Sequence, residues 1–179
     1  MKEQFHFYII DLYQDIPVYI YIILLALFSI CVVFFLSVFK IKKGLLYLSR
    51  FLFLEYLFLI YSSTVFFRDN VSFLGYSFSP LWSYNAIKNG RLELLSENIM
   101  NVVIFIPIGF LLGCGFSKWP WWKVFVLFFL FSMTIEVMQF AFKRGFCEID
   151  DVIHNTLGGM IGYGLYILTT SLVRRHGFE

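Results

Sequence analysis

Long apolar segments separated by short polar ones dominate the chain. A helix needs about 20 mainly apolar residues to cross the roughly 30 Å hydrocarbon core of a bilayer. Segments of this kind are predicted at residues 17–39, 45–67, 99–116, 124–142 and 152–173. The pattern therefore predicts an all-α, polytopic membrane bundle of about five transmembrane helices.

A polar loop separates the second and third of these segments. Residues 68–98 are rich in Ser, Gly, Asn and aromatic side chains, and they include Tyr76, Trp82 and Tyr84. The end of this loop, residues 90–97, could form a short interfacial helix. The chain has no internal repeat, so one small bundle is expected rather than two domains.

The composition supports the membrane class and excludes several others. Of the 179 residues, 60% are hydrophobic and only 15% are charged, whereas soluble domains are nearer half apolar and a quarter charged. The 24 phenylalanines are too many for an aqueous surface. A formal net charge of +2 is too small to attract polyanions strongly. An ordinary cytosolic enzyme, a disordered chain and a nucleic-acid binder are therefore excluded.

The basic residues predict the orientation of the bundle. A dense group lies in short segments on one side, at Lys40, Lys42, Lys43, Lys118, Lys123, Arg174 and Arg175. On the other side the basic residues are spread over longer loops, although Lys143 and Arg144 oppose the trend. Short loops rich in Lys and Arg usually face the cytoplasm. We therefore expect a multi-pass membrane protein with its N-terminus outside and its C-terminus in the cytoplasm.

Polar residues of the last three predicted spans collect at their outer halves. Helical spacing places Glu136 with Gln139, Asp150 with His154, and Asp151 with Asn155 on shared faces. Ionisable groups at that depth are costly and usually face the bundle interior or a water-filled cavity. We predict a polar outer-leaflet site made of Arg68, Asn101, Glu136, Gln139, Arg144, Asp150, Asp151, His154 and Asn155.

Each of these residues also has a structural interpretation. Glu136 could pair with Arg144 two helical turns on, or it could be protonated, because burial disfavours the charged form. Asp150 or Asp151 could simply cap the fifth helix. Asn101 could bond a neighbouring helix, as amides do in membrane bundles.

Three further polar residues have less specific interpretations. His154 is also compatible with an ordinary packed histidine. Arg50, in the second span, is expected to extend to the cytoplasmic edge. Glu55 lies near the middle of the same span, and the sequence assigns it no partner. The carboxylates and His154 could serve as acid, base or metal ligands, but their spacing names no metal, and no cofactor or catalytic residue is assigned.

Small residues and a proline predict how the last three spans pack. Gly109 and Gly113 in the third span, and Gly158 and Gly162 in the fifth, are each four residues apart. Small residues at this spacing let helices approach closely. Pro107 should kink the third span and free a backbone carbonyl one turn earlier, which then needs another partner.

Three segments resemble the signatures of VanZ-like membrane proteins. The first is NVVIFIPIGFLL at residues 101–112, and the second is EVMQF at 136–140. The third begins at Arg144 and continues through EIDDVIHNTLGG at 148–159, with Glu148 where the family often has Asp. The three occur in the family's order.

The resemblance covers residues 66–165. It includes a looser element with Arg68, in which Leu81 follows the proline where Phe is usual. The expected organisation is an extracytoplasmic segment, two helices, a VanZ-like membrane domain, and the end of the last helix with a cytoplasmic tail. These correspond to residues 1–16, 17–65, 66–165 and 166–179.

The resemblance implies a Gram-positive cell-envelope protein, from a family whose named member is associated with teicoplanin resistance. The first hypothesis is low-level resistance to such lipoglycopeptides, through binding of the drug or of a lipid-linked cell-wall precursor at the polar site. Membrane lipids are the other expected partners. The second is an intramembrane enzyme that modifies a lipid-linked envelope substrate. The third is a transporter or scaffold, for which oligomerisation could supply a pathway.

Overall fold

Five α-helices form the framework of the part of the chain that the structure describes. A computed structural model describes residues 42–66, 68, 71, 75–116 and 119–175. The helices are α1 (Lys42–Tyr61), α2 (Trp82–Lys88), α3 (Glu93–Phe116), α4 (Trp121–Ala141) and α5 (Ile149–Arg175). A π-helical turn at Ser62–Phe66 continues α1, and two short strands are β1 (Tyr76–Ser77) and β2 (Cys147–Glu148). The predicted first span, residues 17–39, lies outside the described residues.

Four of the segments are long and apolar enough to cross a membrane. They are Gly44–Phe66, Glu93–Phe116, Trp121–Ala141 and Ile149–Val173. They coincide with the second to fifth predicted spans, and the prediction of an all-α, polytopic membrane bundle is confirmed. Their shared core is formed by large apolar side chains such as Ile60, Ile108, Leu111, Phe128 and Ile135.

The predicted interfacial helix at residues 90–97 is corrected by the structure. Helix α3 begins at Glu93 and continues without a break, because the chain has neither Pro nor Gly from there until Pro107. The separate short helix is α2, which ends just before Gly90. Gly90 has a φ of 99°, a conformation that glycine adopts without strain, and it turns the chain from α2 into α3.

Helices α3 and α5 approach each other at their glycines. A Cβ atom placed at Gly109 would collide with the carbonyl oxygen of Gly159, and one placed at Gly162 would collide with that of Ile106. Glycine therefore allows backbone to lie directly against backbone at these positions. The predicted close packing of these two spans is confirmed.

Pro107 lies inside α3, and α1 donates a hydrogen bond near it. Proline has no backbone N–H and disrupts the bonding of the preceding turn. The hydroxyl group of Tyr56 donates to the carbonyl oxygen of Ile104 at 3.0 Å. The bond goes to Ile104 rather than to Val103, whose carbonyl group loses its donor at Pro107, and it fixes α1 against α3.

Arg50 binds the C-terminal end of α3. Its Nε atom donates to the carbonyl oxygen of Gly115 at 2.9 Å, and its guanidinium group lies 5.3 Å from the ring centre of Phe116. Carbonyl groups in the last turn of a helix lack partners within the helix. Arg50 therefore caps α3, while Glu55 is exposed on the outer face of α1.

Candidate functional site

Three helix ends meet at one end of the bundle, which we call the polar end. Helices α3 and α5 begin there, and α4 ends there. The loop that precedes α2 is held at the same end because its strand β1 pairs in parallel with β2. In this pairing Tyr76 lies opposite Cys147, and Ser77 lies opposite Glu148. All three sequence segments that resemble VanZ-like signatures therefore contribute to the polar end.

Glu136 is buried in α4 and binds the backbone of β2. It is only 1% exposed, and its Oε2 atom accepts a hydrogen bond from the N–H of Glu148 at 2.9 Å. The Nη1 atom of Arg144 donates instead to the carbonyl oxygen of Arg68. The helix has ended at Ala141 and Lys143 is left-handed, with a φ of 57°, so helical spacing does not bring Arg144 back to Glu136.

Two amide side chains join α5 to its neighbours. The Nδ2 atom of Asn101 donates to Oδ1 of Asp151 at 2.8 Å, which links α3 to α5. The Nδ2 atom of Asn155 donates to Oγ of Ser132 at 2.8 Å, which links α5 to α4. Asn101 therefore bonds a neighbouring helix as expected, and its partner is one of the predicted site carboxylates.

Asp150 caps a helix, but the helix is α2. Its Oδ1 atom accepts from the N–H of Leu81 at 2.5 Å. Its Oδ2 atom accepts from the N–H and the hydroxyl group of Ser83, at 2.9 and 2.6 Å. Asn98 donates to the same hydroxyl group at 3.0 Å. Since Asp150 is fully buried, its role is to hold α2 against the start of α5.

His154 lies on the same face of α5 as Asp150 and also contacts α2. Its Nε2 atom shares a hydrogen bond of 2.9 Å with the hydroxyl group of Tyr84 on α2. Asp150 and His154 are one helical turn apart, as their spacing predicts. The predicted site therefore divides in two: these residues dock α2, whereas Asp151 and Asn155 face α3 and α4.

Gln139 and Arg68 approach Gly145 closely beside the end of α4. The Nε2 atom of Gln139 donates to the carbonyl oxygen of Thr64 at 3.1 Å, but its buried Oε1 atom has no hydrogen-bond partner among the described residues. A Cβ atom placed at Gly145 would lie 3.2 Å from Nη1 of Arg68 and 3.6 Å from Oε1 of Gln139. The guanidinium group and the unpartnered amide oxygen therefore both lie against the position where a side chain of residue 145 would begin.

Three carboxylates interact with Arg68 at the polar end, and a fourth interacts with two of these three. Arg68 interacts electrostatically with Glu97 of α3, Glu136 of α4 and Asp151 of α5. Glu148 of β2 interacts with both Asp151 and Glu97. We call Glu97, Glu136, Glu148 and Asp151 the carboxylate cluster. In the part of the chain that is described, no group of three or more His, Cys, Asp or Glu side chains has a geometry that could hold a metal ion.

Burial and the negative charge of the carboxylate cluster raise the pKa values of two groups just outside the spans. Burial, followed by the neighbouring carboxylates of Asp151, Glu97 and Asp150, raises the pKa of Glu148 to about 7. Burial and the nearby carboxylates also raise the pKa of the Cys147 thiol. In both cases burial is the larger cause of the raised pKa, and the negative charge of the neighbouring carboxylates adds to it.

Two members of the cluster, and the residues of α2 that bind Asp150 and His154, are not among the residues predicted from the sequence. Glu97 was placed in a separate helix, although it lies one turn before Asn101 in α3. Glu148 belongs to the third VanZ-like segment but was not among the predicted site residues. Ser83 and Tyr84 have no sequence signal, because their partners lie about 70 positions away.

Exposed aromatic side chains flank the polar end. Tyr76 and Phe78 are 69% and 64% exposed, and their rings stack with centres 5.2 Å apart. Tyr84 and Phe146 are also exposed, whereas Trp82 is half-buried. Aromatic side chains of this kind favour the interface between a membrane and water.

Comparison with known proteins agrees with the three sequence segments. A family model described as VanZ/LLP1 matches residues 18–170 and so begins well before residue 66. Protein VanZ of Enterococcus faecium is 44% identical over 73 residues, which are 41% of this chain and 45% of that protein. The match thus spans less than half of that relative. No solved structure matches the chain. Since the family model covers most of its length, this multi-pass membrane protein belongs to the VanZ/LLP1 family.

Proposed function

We propose that this protein lowers the susceptibility of a Gram-positive cell to teicoplanin. It does so by binding the drug, or an envelope lipid such as a lipid-linked cell-wall precursor, at the polar end. One observation carries the proposal: the three family segments converge there through Asn101, Glu136 and Asp151, around Arg68. Ionisable residues kept at such depth are functional candidates by default.

The proposal requires the polar end to face outward. The short segments rich in Lys and Arg lie at the other end of the predicted spans, and such segments usually face the cytoplasm. Trp121 and Trp122 are exposed at that other end, where an interfacial belt is expected. This orientation places the N-terminus outside and the C-terminus in the cytoplasm.

The exposed aromatic side chains fit a ligand that is itself anchored in the lipid. Tyr76, Phe78 and Tyr84 are exposed near the polar end rather than buried in the core. A drug with an acyl chain, or an envelope lipid, would reach the polar end from within the outer leaflet. Its polar headgroup would then meet buried charges in surroundings where electrostatic interactions are strong.

Drug susceptibility with and without expression tests this function. The full chain is expressed in a teicoplanin-susceptible Gram-positive host, and its presence in the membrane is confirmed by immunoblot. We expect the minimal inhibitory concentration of teicoplanin to rise more than that of vancomycin, which has no acyl chain. If neither drug changes while the protein is in the membrane, the proposal is refuted.

A further inference from the structure

Glu55 lies in the middle of the span that contains α1, and it is exposed. It is halfway between Gly44 and Phe66, the two ends of that span. It makes no hydrogen bond or ion pair with any residue that the structure describes. Ionisable side chains at this depth are costly, and they almost always face other helices or a water-filled cavity. Another helix is therefore expected against this side of α1.

A stripe of large apolar side chains runs along the same side of α1. Its members follow one another at intervals of four, three and four residues, and each is at least 61% exposed: Tyr47, Phe51, Leu54 and Phe58. This spacing places them on one face of the helix, and Glu55 lies about one turn from both Phe51 and Phe58. We call these four residues and Glu55 the outer face of α1. The opposite face, which includes Tyr56, is buried against α3.

The chain immediately before α1 contains a segment long enough to cover this face. Residues 17–39, the predicted first span, lie outside the described residues, and only residues 40 and 41 separate them from the start of α1 at Lys42. Helices joined by so short a connection pack as antiparallel neighbours. Since α3 already contacts the opposite face of α1, the outer face is the side on which the first span can pack.

Antiparallel packing would bring a hydroxyl group to the level of Glu55. The centre of residues 17–39 is Phe28, next to Ser29, and Glu55 is the centre of the span that contains α1. Two antiparallel spans centred at the same depth therefore place Ser29 opposite Glu55. Ala26, three residues before Ser29, then lies opposite Phe58, three residues after Glu55. A small side chain at that point lets the two helices approach closely.

We propose that residues 17–39 cover the outer face of α1 and that the hydroxyl group of Ser29 forms a hydrogen bond with the carboxyl group of Glu55. Serine hydroxyl groups form such bonds between helices in membranes. The bond gives Glu55 a polar partner, and the packing shields the centre of the stripe from lipid. The inference goes beyond the proposed function, because the outer face of α1 lies along the side of the bundle and not at the polar end. Drug susceptibility therefore does not decide it.

Disulfide cross-linking of the full chain in membranes tests the packing. Ala26→Cys and Phe58→Cys are combined in a background without the three native cysteines, and the membranes are oxidised. The monomer band of a non-reducing gel is then digested with trypsin, which cleaves after Lys40 and Arg50 and so separates the two new cysteines unless a disulfide joins their peptides. We expect most chains to contain joined peptides, because a disulfide requires Cα atoms within about 7 Å of each other. Leu24→Cys with Phe58→Cys, on the other side of the predicted first span, is the control and should rarely join.

Two results of this experiment would overturn the proposal. Equal joining of the two pairs, or joining of neither, would show that residues 17–39 do not pack on the outer face in this arrangement. A disulfide-linked dimer band, with no joined peptides in the monomer band, would assign the outer face to a second copy of the chain instead.

Thermal unfolding of the purified full chain tests the hydrogen bond without any new cysteine. Ser29→Ala removes the hydroxyl group and should lower the Tm. In a Glu55→Leu background the partner is already absent, so adding Ser29→Ala should lower the Tm much less. Ser37→Ala, about two helical turns away in the same predicted span, is the matched control and should change the Tm equally in both backgrounds. An equal loss from Ser29→Ala with and without Glu55→Leu would overturn the proposal.

Discussion

Adjacent aspartates at the start of α5 have different partners. Asp150 accepts hydrogen bonds from Leu81 and Ser83, whereas Asp151 accepts one from Asn101. Neighbouring positions on a helix point about 100° apart, so two carboxylates in sequence necessarily face different elements. The sequence identified both as costly polar residues near a membrane, but which element each one meets depends on contacts across about 50 to 70 positions.

Replacement of Asp150 should destabilise the protein. In Asp150→Asn one acceptor oxygen becomes an NH₂ group that faces the N–H and hydroxyl groups of Ser83, so buried donors lose their acceptor. We expect the free energy of unfolding to fall by about 1–3 kcal/mol, measured as a lower Tm in detergent. Asp151→Asn keeps an oxygen for Asn101 and removes a negative charge, so its Tm should not fall. An equal loss in both variants would contradict this assignment.

The stability of the protein should decrease as the pH rises from mildly acidic to neutral. The pKa of Glu148 is about 7 in the fold against 4.5 as its ordinary value. The folded state therefore binds its proton more tightly, and the unfolded state holds fewer protons between these two pKa values. Stability then falls as the pH rises from about 4.5 to 7.

Thermal unfolding of Glu148→Gln checks this pH dependence. The wild-type Tm should be lower at about pH 8 than at about pH 5, and the difference should be smaller in Glu148→Gln because one of the responding carboxyl groups is gone. Glu93→Gln, at an exposed position, should keep the wild-type difference. A Tm that rises with pH, or a variant with the unchanged difference, would show that Glu148 does not titrate in this range.

At the scale of elements, the hydropathy of the sequence predicts the long helices but does not predict α2. The spans were recognised because apolar length alone identifies a helix that can cross a bilayer. Helix α2 has only seven residues, follows a left-handed Leu81, and has no side-chain hydrogen bond from its own N-cap residue. Asp150 of α5 caps it, so no local pattern could reveal it. The glycine spacing of α3 and α5, in contrast, is visible within each segment, and for this reason the sequence predicts that these helices pack closely.

One methyl group at the contact of α3 and α5 should be enough to separate them. In Gly162→Ala the new Cβ would collide with the carbonyl oxygen of Ile106, which is backbone and cannot rotate away. We expect a loss of about 1–3 kcal/mol or more in stability, seen as a lower Tm and less protein in the membrane. Gly164→Ala, two residues further along α5, should behave nearly as the wild type. Equal stability of the two variants would show that the helices are not in close contact.

At the scale of the whole molecule, the distribution of charge predicts which end faces outward. The polar end contains the carboxylate cluster, and the opposite end is adjacent to short segments rich in Lys and Arg. Single cysteines in a background without Cys31, Cys114 and Cys147 test the orientation, with Ser79→Cys near the polar end and Lys123→Cys near the other. Both positions are exposed.

A membrane-impermeant maleimide should label Ser79→Cys in intact cells and Lys123→Cys only after permeabilisation. Labelling in the reverse order would place the carboxylate cluster in the cytoplasmic leaflet. That result would contradict direct contact between the cluster and a drug that acts outside the cell.

At the scale of the whole molecule, charged residues are scarce, so their concentration at the polar end marks that end as the candidate functional site. Only 15% of the residues are charged, yet four carboxylates and Arg68 meet where three helix ends converge. The sequence predicts the four long helices of the described residues and most of the polar residues. It could not separate those that dock α2 from those that form the cluster, because this division depends on which side of α5 meets which neighbour.

The central claim is that the carboxylate cluster is the functional part of the polar end. It is tested most directly by the teicoplanin susceptibility of cells that express Glu136→Gln or Glu93→Gln at equal levels in the membrane. The account predicts that Glu136→Gln loses the protection given by the wild type and that Glu93→Gln retains it. Full protection by Glu136→Gln at the same protein level would contradict the claim.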